Sequence, residues 1–110
     1  MTERIPLPNR REAFTCQIRG GYDAALGFDS EGRPKEIFLS GAKDGTDMAA
    51  ILADTSVVVS IALQHGIPAA ELARSIAREP ALPDGAATRA ASVIGAALDL
   101  LVQYEREDWR

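Results

Sequence analysis

One cysteine, one histidine and one tryptophan are all that this sequence offers of the side chains most used for thiol, metal and stacking chemistry. With Cys16 alone, no intrachain disulfide forms and no thiolate cluster exists to hold zinc or an iron-sulfur centre. A reducing cytoplasm is the expected setting. Basic excess is also missing: the formal net charge of -4 argues against a protein that coats nucleic acid, because phosphate binding relies on clustered Lys and Arg. The first residues, Met1 to Pro6, carry no apolar run of signal-peptide length. No later window is expected to reach the roughly 20 apolar residues that span a bilayer. Aromatic residues are only 5% of the chain, so the core must come from Ala, Val, Ile and Leu.

What is present fits one domain of 110 residues. Residues 1–12 hold two prolines and three basic residues without periodicity, which reads as an extended arm ahead of a single domain over 13–110. From Phe14 the apolar period is two. Phe14, Cys16 and Ile18 alternate with Thr15, Gln17 and Arg19, predicting a half-buried strand with Cys16 facing the core. Gly20-Gly21 permits a tight hairpin into a second strand carrying Tyr22, Ala24, Leu26 and Phe28. Asp29 to Pro34 is a turn by its chemistry, and Lys35 to Ser40 is the third strand.

After Gly41 the period becomes helical, with Met48, Ile51, Leu52, Thr55, Val58, Val59, Ala62 and Leu63 at steps of three and four. Thr46 is the expected N-cap, Asp47 suits the first turn, and Gly66 is placed to end the helix. Ile67-Pro68 opens a shorter helix with Leu72, Ala73 and Ile76 on its apolar stripe. Glu79 to Pro83 breaks it. Asp84 is then read as the cap of a last helix that buries Ala90, Ile94, Ala97, Leu98 and Leu101. The fold class is therefore α+β: a three-stranded antiparallel meander followed by three α-helices packed on one face, with a spine helix from about residue 47 to 65.

The order of a glycine hairpin, "DSEGRPKEIFLSG", "AKDGTD" and "VVVSIALQHGIPAAEL" resembles the TSCPD domain family. The resemblance covers roughly residues 19–78. Its most specific pieces are Gly32-Arg33-Pro34 with Glu36, Lys43 with Gly45, and Ser60 to Leu63 followed by Gly66. Domains of that family occur at the C-terminus of adenosylcobalamin-dependent ribonucleotide reductases and as small stand-alone proteins. The resemblance implies an auxiliary role beside such a reductase chain. This sequence departs from the family's cysteine-containing C-terminal motif, reading Pro80 to Asp84 and Ala91 to Gly95 without cysteine. Reductases of that kind use several cysteines on a far larger barrel, so the resemblance implies shared domain ancestry here and not that activity alone.

Lys43, Gly45 and Thr46 form the candidate ligand site, because a glycine-bearing loop entering a helix presents free N–H groups to an anion such as a nucleotide phosphate. Asp44 and Asp47 oppose that role, and a plain helix cap accounts for the same residues. His65 and Cys16 lack a catalytic partner in the sequence, and no catalytic residue, metal or cofactor is assigned. The segment from Ile51 to Ile76 also suggests a helix-turn-helix regulator with Arg74, Ser75 and Arg78 toward DNA, opposed by Glu71 and Glu79. An uncovered sheet face with Ala25, Phe38 and Trp109 suggests a partner surface or a homodimer.

Overall fold

The computed structural model describes residues 13–106. The expected N-terminal arm over 1–12 and the patch residue Trp109 lie outside the described residues. Strand β1 runs Ala13–Ile18, β2 Tyr22–Phe28 and β3 Pro34–Ser40. They form one antiparallel sheet in the order β1-β2-β3. A 3-10 turn over Arg19–Gly21 joins the first two strands, with Gly20 and Gly21 both at positive φ. The Asp29 carboxylate accepts from the N–H groups of Glu31 and Arg33, at 2.9 and 3.0 Å, and closes the second turn.

Register sorts the sheet into two faces. Phe14 stands opposite Leu26 and Leu26 opposite Ile37, while Cys16, Ala24 and Leu39 form the next row. These rows face the core, and Leu26, Ile37, Ala24 and Leu39 are buried. Cys16 shares that face and is half-buried, as its alternation with Phe14 and Ile18 predicts. The other face carries Ala25 and Phe38, which pair across the strands.

Helix α1 spans Asp47–Gln64, α2 Ala69–Ala73 and α3 Val93–Arg106. Both ends of α1 follow the sequence. Thr46 caps its start, and at its end Gly66 at φ +90° lets Gly66 N donate to Leu63 O and Ile67 N to Ala62 O, each at 3.0 Å. Helix α3 closes the core face, its Ala97, Leu98 and Leu101 packing with the sheet residues. Tyr104 adds ring contacts to Phe14 and Phe28, with centroids 5.1 and 5.8 Å apart. Glu105 of α3 also accepts from the N–H groups of Ala69 and Ala70, which secures the start of α2.

Two expectations need correction. The last helix does not begin near Asp84: that carboxylate accepts from Ala86 N at 2.9 Å inside a hairpin loop, and α3 starts at Val93 with Ser92 accepting from Gly95 N at 3.0 Å. The interval holds a second sheet that the sequence reading lacks, β4 Arg78–Pro80 paired with β5 Thr88–Ala90. The buried face of α1 also differs from its apolar period. Ile51 and Val58 point to solvent, whereas Ser56, Ser60 and Gln64 are buried beside Leu52, Val59 and Leu63.

The reason lies at the open edge of β3. Alternate residues of β3 turn their backbone groups away from β2, and α1 lies along them. Ile37 N donates to Ser60 Oγ at 2.9 Å, Leu39 N donates to Ser56 Oγ at 2.8 Å, and Gln64 Nε2 donates to Lys35 O at 3.0 Å. Ser60 returns a bond to Ile37 O at 3.1 Å, and Lys35 Nζ donates to Leu63 O at 3.1 Å near the negative end of the helix. A polar stripe at positions 56, 60 and 64 thus replaces a fourth strand and leaves that edge closed to other chains. Substituting Ser60 or Ser56 by Ala strands a buried N–H, and each change is expected to lower unfolding free energy by about 1–3 kcal/mol in a urea titration.

Candidate interaction surface

With its polar stripe committed to β3, α1 straddles the sheet edge. Leu52, Val59 and Leu63 reach the core on one side, and Val57 and Ile61 border a groove with Phe38 on the other. That groove has a volume of about 350 Å³, and the buried Glu36 forms part of its wall. Ile51 and Val58 continue the apolar surface around the outside of the helix, where Asp54 is the charged interruption. Val58 is 67% exposed, Val57 57% and Phe38 56%. Scattered exposed apolar residues are ordinary, but these gather on one helix and its adjoining strand as a continuous apolar patch. Of the expected patch residues Ala25, Phe38 and Trp109, Phe38 belongs to this surface, and the valines and isoleucines of α1 were missed.

Composition explains the same surface from another direction. By length and composition alone, the 18 residues of α1 could cross a membrane, contrary to the expectation that no window comes close. Apolar residues occupy most of its circumference, and a third of it is buried in this fold.

The expected ligand site at Lys43, Gly45 and Thr46 is exposed and leads into α1. Thr46 Oγ1 accepts from Ala49 N at 3.2 Å and donates to Lys43 O at 2.6 Å, so its hydroxyl is used within the cap. Gly45 takes φ +85° to make the turn. What remains for an anion is the Lys43 ammonium and the first backbone N–H groups, with Asp44 and Asp47 beside them. His65 sits at the C-cap of α1, as expected from its place before Gly66. Helix α2 has five residues and Arg74 is ion-paired to Glu71 at 2.8 Å, which makes a short element to lay in a DNA groove. Among the described residues, no group of three or more His, Cys, Asp or Glu side chains could hold a metal ion.

A three-stranded meander sealed along one edge by a serine-bearing helix, with an apolar face turned outward, defines a small α+β domain. The chain belongs to the TSCPD domain family, whose pattern it matches over residues 3–102. It is similar to three vitamin B12-dependent ribonucleotide reductases. That of Agrobacterium fabrum (strain C58 / ATCC 33970) is 36% identical over 72 residues, 63% of this chain. Those of Bradyrhizobium diazoefficiens and Rhodopirellula baltica are each 34% identical, over 62% and 59% of the chain. In every case the match spans 6% of the reductase. No solved structure matches the chain significantly.

The cap and any anion contact at this loop separate by mutation. Thr46→Ala is expected to cost about 1 kcal/mol in thermal or chemical unfolding, whereas Lys43→Ala is expected to stay within about 0.5 kcal/mol of the parent.

Proposed function

We propose that this domain is a non-catalytic accessory module of a ribonucleotide reductase-type enzyme, working in the cytoplasm and docking through the outer face of α1 with Phe38. The observation that carries the reading is the exposed apolar surface of Ile51, Val57, Val58, Ile61 and Phe38 on a helix whose other side is already sealed to β3. Similarity to a small segment of much larger reductase chains supports the choice of occupant. In those relatives the corresponding segment is covalently tied to the rest of the enzyme. A reductase surface, in the same chain or a separate one, is therefore the partner such a face is built to meet. Burying one Val or Ile side chain there contributes about 1.5–3 kcal/mol before the cost of association. A homodimer through the same face is the competing occupant.

A photo-crosslinking residue placed at position 58 tests this in the source cell. The expected product joins position 58 to a reductase chain, and a control at exposed position 82 on the hairpin loop does not. Val58→Asp is expected to weaken the association by about tenfold or more while changing stability by less than about 0.5 kcal/mol, since the side chain is open to water in the free domain. Crosslinks only between copies of this domain would replace the reading with the homodimer.

A further inference from the structure

At the opposite side of the sheet from α1, three arginines distant in sequence converge where β1 ends. Arg19 follows β1, Arg78 lies on β4 and Arg89 on β5. Two carboxylates answer them. Arg19 Nη2 and Arg89 Nε both approach the same oxygen of Glu79, at 3.1 and 2.8 Å. Arg78 is bonded to both oxygens of Asp99, at 3.3 and 3.1 Å, and to the hydroxyl and carbonyl of Thr88. Arg19 also donates to Ala90 O. The hydrogen bond from Arg89, aided by the charge of Arg19, holds the Glu79 carboxyl below its ordinary value, so it stays ionised at neutral pH.

This network staples the β4–β5 hairpin to the turn after β1 and to α3, but it carries more positive charge than stapling requires. Three guanidinium groups face two carboxylates, and one oxygen serves two of them. Arg78 uses all three of its nitrogens. Arg89 commits only Nε to a bond among the described residues, which leaves its two terminal nitrogens for another acceptor. Its side chain is 59% exposed. Beside it opens a cleft of about 400 Å³ lined by Arg19 and Arg89, with Ile18 and Leu100 as apolar lining and the Gln103 amide at its rim. Asp99 also lines the cleft, where Arg78 offsets its charge. The volume is that of a small-molecule site, and the chemistry is a forked cation next to an apolar surface.

We propose that this cleft binds a phosphate monoester, its phosphate held by the two terminal nitrogens of Arg89 and its organic body lying along Ile18 and Leu100, while Arg19 stays on Glu79 and offsets its charge. The planar guanidinium of Arg89 matches two phosphate oxygens at once, which a lysine ammonium does not. The site is independent of the docking face on α1, so either can fail without the other.

The test is isothermal titration of the whole protein with adenosine 5′-monophosphate, ribose 5-phosphate and inorganic phosphate. Both monoesters are expected to bind, the nucleotide more tightly, and inorganic phosphate more weakly than either. Arg89→Gln is expected to weaken binding about tenfold or more. That variant removes one bond of the staple but keeps Arg19 on Glu79 and Arg78 on Asp99, and an unchanged thermal unfolding midpoint is the check that the hairpin stays docked. Leu100→Ala is expected to weaken the nucleotide but not inorganic phosphate. No heat and no NMR shift at residues 88–90 with millimolar nucleotide would overturn the proposal, as would equal affinities for parent and Arg89→Gln. Equal affinity for inorganic phosphate and the nucleotide would overturn the role given to the apolar lining.

Discussion

The seam between α1 and β3 is the constraint on which the rest of the domain depends. A three-stranded sheet has two edges, and an uncovered edge is a row of unpaired backbone groups that invites aggregation. Ser56, Ser60 and Gln64 answer the outward-facing groups of β3 one by one, so the helix serves in place of a strand. Ser56 Oγ also donates to Leu52 O at 2.7 Å, which fixes the rotamer it needs in order to accept from Leu39 N. Each of these polar groups is buried and bonded, and among the described residues no buried side-chain nitrogen or oxygen lacks a partner.

That seam decides what the outside of the domain looks like. Fixing residues 56, 60 and 64 against β3 sends Leu52, Val59 and Leu63 into the core and leaves Ile51, Val57, Val58 and Ile61 outside. The helix cannot rotate to hide its valines without stranding two backbone N–H groups, at about 1–3 kcal/mol each. The apolar exterior is therefore a consequence of edge closure and not a packing fault. A protein that keeps such a face in water gains from covering it, and the proposed cover is a reductase surface, since the chain's relatives are segments of reductase chains.

The sequence makes the local punctuation legible and the tertiary choices much less so. Gly20-Gly21, the Asp29 turn, the Thr46 cap and the Gly66 stop each follow from one residue's chemistry, and each stands where that chemistry puts it. The face of α1 does not, because apolar residues surround the helix and the three polar side chains that go inside imitate a solvent stripe. The β4–β5 hairpin is hidden for another reason: its strands are three residues each, polar and without an apolar alternation. Arg19, Glu79 and Arg89 tie it to the turn after β1, and no local window contains all three. The candidate loop at Lys43 to Thr46 was visible because it is contiguous, and the arginine cleft was not because it is assembled by the fold.

Methyl NMR of the isoleucine and valine residues, recorded as a ribonucleotide reductase chain from the same source is added, reads directly whether the outer face of α1 is the docking face. Ile51, Val57, Val58 and Ile61 are expected to shift or broaden together while the core methyl of Ile37 holds its position. Binding that leaves those four methyls unmoved, or no binding at all with the four still exposed, would contradict that docking role.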